Sequence, residues 1–502
     1  MRAPRREGRR LAGGRRRVTT RARDHGMFIA GSWTDGTDTR MEAVSPGTGE
    51  IIGTVPEGSR SDVQKAIAAA NEAWPDWAAR SPFERAAAME RIVELITERR
   101  DQLAQTLTLD QGKPLYAEAY GEVDELAEYF RMAGEDAKRI EGSMPPSTDA
   151  GKRILVYRVP RGVVGVITPW NWPYTMPAEL IAPALASGNA VVWAPAPATS
   201  LCSVELAGCI VDAGLPAGIF NMITGPGPVV GDEIAGNGGT QTVAFIGSIA
   251  TGQKVSERAA GKALLLEMGG NGPVVVLDNA DIEAAAKASL ESAFLCAGQS
   301  CTAGERWLVH EAVHGAFMDN LIATIKQTVR LGDPTDRATT LGPLNNEATA
   351  QKMDRHVAQA LEEGAELIIG GGRASGFPTP LYYEPTVLDQ VAHGMEVARE
   401  ETFGPVVPVT SIRSESEALQ LVNSSPYGLL VSVWTEDLAR GIRFSEEAQA
   451  GWVNINESSN YWESHLPFGG RSGSRSGVGR VGGRHPMDVF TELKTVVVRL
   501  GT

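Results

Sequence analysis

Two cysteines stand five positions apart in "SAFLCAGQSCTAGERW", residues 292–307, in a chain of 502 residues that has only four. Thiols at that spacing could clip a metal, close a disulfide, fill a core or supply a nucleophile, and Cys296 and Cys301 by themselves do not choose. Other chemistry-bearing residues sit where apolar runs break. Glu267 lies between leucines and glycines in "LLEMGGNGP", Asn171 between Trp170 and Trp172 in "TPWNWP", and Glu401 and Phe403 share "EETFGPVVPV". Taken singly, such a glutamate is a solvated turn residue, the asparagine a turn cap and the cysteine packing. A catalytic reading needs them brought together.

The elements that would have to do so alternate along the chain. "KRILVYRVPRGVVGVITPW" reads as strand, break, strand, and "GNAVVWAPAP", "GIFNMIT" and "QTVAFIGS" follow at intervals that each leave room for a helix. Strands alternating with helices indicate an α/β fold with a parallel, doubly wound sheet. A second series from "GPVVVLDNADIEAAAKASLESAF" to residues 451–456 predicts a second such domain. The first hundred residues are largely helical, with capping boxes expected at Ser61 to Gln64 and Ser81 to Glu84. Two strands end in glycine turns, "VAFIGSIATGQKV" and "TGPGPVVGDEIAG". Free N–H groups at a helix start there could meet a phosphate, although neither turn carries the full dinucleotide fingerprint or a P-loop lysine.

Composition narrows the function classes. At 42% hydrophobic and 22% charged residues the chain is globular, and its net charge of −14 argues against a nucleic-acid partner. No apolar run approaches the roughly 18 residues of a membrane span. Four cysteines are too few for a disulfide scaffold, so a reducing cytoplasm is the expected location. Residues 1–26 differ from the rest, with ten arginines against two acidic residues. That segment reads as a disordered basic tail or a mis-called start, with Val18 or Met27 as the true beginning; a targeting peptide fits less well, because it has no serine and no amphipathic stripe.

"TPWNWP", "FIGSIATG", "LLEMGGNGP", "AGQSCTAGER", "EETFGPVVPV" and "PFGGRSGSRSGVGR" occur in an order and spacing similar to the aldehyde dehydrogenase superfamily, over residues 27–502. The resemblance implies a Rossmann-like dinucleotide-binding domain (27–141 and 161–266), a catalytic domain (267–475) and a small β oligomerisation arm (142–160 and 486–502) that makes a homodimer or homotetramer. It implies an aldehyde substrate, NAD or NADP as cofactor and no metal. Cys301 would be the nucleophile, forming a thiohemiacetal and then a thioester. Asn171, with the Cys301 N–H, would face the oxyanion, and Glu267 would be the general base. Thr168, Trp170, Gly227, Gly247, Ser248, Glu401 and Phe403 match cofactor positions. Trp172, Met176, Glu179, Tyr461, Trp462 and Phe468 match the substrate tunnel.

Several positions depart from the family pattern. Ala194 and Pro197 stand where a lysine and a glutamate often contact the adenosine ribose, and a dianionic 2′-phosphate left without a cation suffers more than an unpaired hydroxyl, which favours NAD. Val481 replaces a glutamate used in a secondary proton relay. Leu180 replaces a frequent lysine, while Glu179 beside it would disfavour acidic semialdehydes and suit neutral or cationic aldehydes. Tyr461 and Trp462 suggest an apolar or aromatic wall, and no basic pair dedicated to a carboxylate is evident. Two other readings are a thiol hydrolase with His310 as base and a silent binding relative. Against a CoA-acylating enzyme, Glu267 is present. Cys296 occupies a usual asparagine position, either as packing or as a partner for reversible oxidation with Cys301.

Overall fold

Helix Arg60–Ala79 starts at Ser59, whose Oγ accepts from the Asp62 N–H (3.3 Å) while the Asp62 carboxylate accepts from the Ser59 N–H (3.0 Å). The expected box at Ser61 to Gln64 is therefore displaced by two residues. A carboxylate in the first turn answers the helix dipole, which glutamine cannot do. The box at Ser81 to Glu84 forms as expected and opens Pro82–Glu98. The computed structural model describes residues 23–36 and 39–501. The expectations for the basic segment fall outside these residues except at its end, where Arg23 and Asp24 pair in parallel with Gly53 and Thr54.

The first large sheet has eight strands. Its parallel core is Val163–Ile167, Ala190–Ala194, Phe220–Met222, Thr242–Gly247 and Ala263–Met268, in the spatial order third, second, first, fourth, fifth. Gly477–Val478 adds antiparallel at one edge, and Met27–Ile29 with Ser32–Thr34 at the other. The strand order reverses between Val163–Ile167 and Thr242–Gly247, and a crevice opens at the carboxyl ends of strands at such a switch point. Trp170 follows the first of these strands and Ser248 the second.

A second sheet of seven strands is built on Gly272–Val276, Gly304–His310, Val406–Ile412, Leu430–Trp434 and Trp452–Ile455, all parallel, with Thr386–Asp389 and an antiparallel Glu366–Ile369 at one edge. Runs such as "PVVV" and "LVSVW" are buried throughout, as strands covered by helices on both faces require. Both expected doubly wound parallel sheets are thus present. The chain passes from one to the other through residues 269–271. Lys152–Pro160 and Thr491–Arg499 form a separate antiparallel ribbon, and Ser143 adds a bridge to Val156. Among the described residues, no helix is long and apolar enough to cross a membrane.

Candidate active site

The site lies in the seam where residues following the first sheet's strands meet residues preceding the second sheet's strands. Glu267 ends Ala263–Met268, Cys301 precedes Gly304–His310, and Glu401 and Phe403 precede Val406–Ile412. Close approach is enforced by glycine. A Cβ on Gly270 would lie 2.2 Å from the Cys301 carbonyl oxygen, and one on Gly269 would lie 2.6 Å from Glu401 Oε1. Only glycines allow the inter-sheet crossing to press against both residues.

Cys301 is half-buried and stands at the junction of two cavities. One, of about 230 Å³, is lined by Trp172, Met176, Glu179, Tyr461, Trp462 and Phe468, and also by Glu125 and Glu291. The other, of about 190 Å³, is lined by Trp170, Asn171, Gly247, Ser248, Glu401 and Phe403, with Thr349 and Lys352. Glu267 and Met176 border both. Gly227 and Thr168 line neither: Gly227 lies in the loop before Val230–Gly236, and Thr168 Oγ1 accepts from the Trp193 indole at 2.9 Å.

Proton affinities around the thiol are all displaced upward. Burial pushes the Cys301 thiol up, and the neighbouring Glu267, Glu401 and Glu179 carboxylates add to it. Burial also pushes Glu267 to about 8, partly offset by its contact with Cys301, and its Oε1 has no hydrogen-bond partner. Thiol and base are therefore both protonated at rest, and either can give its proton only when the other or a ligand takes up charge. Asn171 donates one amide hydrogen to the Gln299 carbonyl (3.0 Å) and retains a second donor.

The residues of the second cavity could hold a dinucleotide. Ser248 caps helix Ile249–Arg258, leaving its first N–H groups available for a phosphate. Glu401, pushed by burial to about 7, accepts from the Gly270 N–H at 2.9 Å. Phe403 packs edge-on against Trp170, with centroids 5.7 Å apart, and the Lys352 ammonium lies 5.8 Å from its ring centroid. Phe403 has φ of 62°, a left-handed conformation. The buried Glu305 stabilises it, accepting from the Thr402 and Phe403 N–H groups at 2.9 and 2.5 Å. Sequence reasoning missed Glu305 and Lys352, although Glu305 lies within the quoted "AGER".

The other residues singled out in the sequence take the following places. His310 lines neither cavity; its Nε2 lies 3.0 Å from the Arg413 carbonyl, so a thiol hydrolase with His310 as base has no geometry. Glu179 is 4% exposed and accepts from the Tyr129 hydroxyl at 2.7 Å; burial raises its carboxyl well above the ordinary range, so it is neutral rather than a standing charge. Val481 is a core residue paired with Phe468. Cys296 is buried, accepts at sulfur from Gln111 Nε2 and donates to the Asn171 carbonyl (both 3.4 Å). Burial pushes its thiol to about 12, which suits packing better than thiolate exchange.

Known proteins share this arrangement of chain. The sequence pattern described as the aldehyde dehydrogenase family matches residues 33–496. The NADP-dependent succinate-semialdehyde dehydrogenase of Escherichia coli K12 is 36% identical, covering 94% of this chain and 97% of that protein. The alpha-ketoglutaric semialdehyde dehydrogenase of Bacillus subtilis 168 is 36% identical over 96% of this chain and 99% of its own. Betaine aldehyde dehydrogenase of Staphylococcus aureus, solved with NAD+, superposes with a TM-score of 0.92 at 32% identity, covering 95% of each chain. A cysteine in the seam of two parallel sheets, between two cavities, and a sequence match across nearly the whole length lead to one conclusion: this chain belongs to the aldehyde dehydrogenase family.

Proposed function

We propose that the protein oxidises an aldehyde to the carboxylic acid, with Cys301 as nucleophile and a nicotinamide dinucleotide as hydride acceptor. The observation that carries this is Cys301 at the junction of two cavities, so that an aldehyde in one and a nicotinamide in the other meet at its sulfur. The eight-stranded sheet would carry the dinucleotide and the seven-stranded sheet the cysteine.

Cys301 Sγ attacks the carbonyl carbon as its proton is lost to solvent, directly or by way of the ionised form of Glu267, which is left free of it for the later step. The resulting oxyanion is met by the free Asn171 amide hydrogen and the Cys301 N–H. The dinucleotide, when bound, supplies the acceptor for the hydride that leaves this carbon. Trp170 and Phe403 would flank its ring, Glu401 would take ribose hydroxyls, and Ser248 with the following helix start would meet phosphate. Glu267 then takes a proton from the water that attacks the thioester, and the returning thiol releases the acid.

The family includes both NADP- and NAD-linked relatives. Ala194 and Pro197 offer no cation for a 2′-phosphate at the end of Ala190–Ala194, which favours NAD. Leu493, Val497 and Tyr157 are exposed on the two-stranded ribbon, and a homodimer or homotetramer would cover them. The four cysteines are all free thiols, which suits a reducing cytoplasm. The test follows reduced-nicotinamide absorbance with NAD or NADP against a panel of aldehydes. Turnover is expected in the native protein and none in Cys301→Ala; persistence in that variant, or no turnover with any pair, overturns the reading.

A further inference from the structure

Among the described residues, the ionisable side chains lining the substrate-side cavity include acids and no base. Glu179 lies within it, Glu125 is half-buried on its wall, Glu291 stands exposed at its mouth and Glu267 borders Cys301. Among the described residues, no lysine, arginine or histidine lines it. Lys113 packs on Trp172 with its ammonium 3.2 Å from the ring centroid, yet it is not part of the lining and is ion-paired with Glu122, both fully buried. Its charge is thus already answered before a substrate arrives.

An aldehyde carrying a carboxylate at its far end would enter this space facing four acids and no counter-ion. A carboxylate taken into such a space without a cation loses its hydration for nothing in return, and specificity is commonly built from such rejection. A cation meets the opposite situation. Burial leads Glu125 to hold its proton up to about 7, with Glu122 adding to the effect and Trp462 and Lys113 opposing it. Burial likewise raises Glu291, with Glu457 contributing. Among the described residues neither acid has an ion-pair partner, and an entering cation would supply one.

Resting on the function proposed above, we infer that the substrate is an aldehyde bearing a cationic ammonium group at the end remote from the carbonyl. Glu125 and Glu179 receive the ammonium, Glu291 stands at the entrance, and Trp462 and Tyr461 offer aromatic faces to it.

Three aldehydes of nearly equal length separate the possibilities: 3-aminopropanal, butanal and succinic semialdehyde, compared by kcat/KM with the preferred dinucleotide. The ammonium aldehyde is expected to exceed the neutral one by about tenfold or more and the anionic one by about 100-fold or more, the scale of a single charge-assisted hydrogen bond to the ligand or of a single like charge set against it. In Glu125→Gln and Glu179→Gln the ratio of 3-aminopropanal to butanal should fall toward one. Because each ratio is taken within one protein sample, partial misfolding does not imitate the effect. Equal turnover of all three, a preference for succinic semialdehyde, or an unchanged ratio in both variants overturns the inference while leaving aldehyde oxidation standing. Failure to turn over any of them, or the wider panel, instead sinks the function on which it rests.

Discussion

Burial raises Glu267 to about 8 and its contact with Cys301 offsets this only in part, so the form that activates water is the scarce one at neutral pH. Steady-state turnover limited by thioester hydrolysis should climb about tenfold per pH unit and level above about 8. In Glu267→Gln that rising limb should vanish. Rapid mixing should show a burst of reduced nicotinamide close to the enzyme concentration, followed by turnover slower by roughly 10²–10⁴-fold. Absence of a burst, with substrate untouched, would show that the thiol proton has no route past Glu267 and that this residue is required at the attack step as well. Cys301, Glu267, Asn171, Glu401 and Phe403 were legible because their motifs stand in the order of a known family; singly, none differed from a turn or packing residue. Glu125 and Lys352 were not. They sit in Tyr120–Ala137 and Glu347–Glu362, amphipathic helices whose charged residues look alike in sequence whether they face water or a cavity.

At the scale of elements, the inter-sheet crossing and the buried charges behind it fix the site. Gly270→Ala places a methyl against the Cys301 carbonyl, a backbone atom that cannot swing aside. Displacing the nucleophile by even about 1 Å should lower kcat by roughly 100-fold, with near-normal circular dichroism. Unchanged kcat would mean that the loop yields freely. Behind Trp172, the pair of Lys113 and Glu122 also receives the Tyr174 N–H on Glu122, tying Tyr120–Ala137 to the segment that carries Asn171. Lys113→Met leaves a buried carboxylate unpaired and should cost about 3–5 kcal/mol, read as a lower urea midpoint. The sequence located helices by their caps and strands by their apolar runs. It misplaced the start of Arg60–Ala79, since two serines spaced two apart both fit a capping pattern and the carboxylate of Asp62, which answers the helix dipole as Gln64 cannot, decides for Ser59.

For the whole molecule, an unusual number of carboxyls hold protons in the folded state. Burial takes Asp110, Glu118, Glu125 and Glu401 to about 7 and Glu267 to about 8. Each folded value lies above the unfolded one, so this stabilisation is complete below the ordinary carboxylate range and is lost as pH rises through 7 to 8. The thermal midpoint should therefore be lower at a pH of about 9 than of about 6, and a flat profile would show that these acids ionise at little cost. The ribbon of Lys152–Pro160 and Thr491–Arg499 makes a separate prediction. Leu493→Glu, at a position 65% exposed, should shift sedimentation toward the monomer if neighbouring copies cover that face. The acidic lining around Cys301 also affects what happens after chemistry. Oxidation turns an uncharged carbonyl into a carboxylate at Cys301, beside Glu267 and in a cavity whose described lining offers no cation, so the reaction creates a charge that nothing there answers, and the acid should leave quickly and inhibit feebly even at concentrations well above the KM of its parent aldehyde.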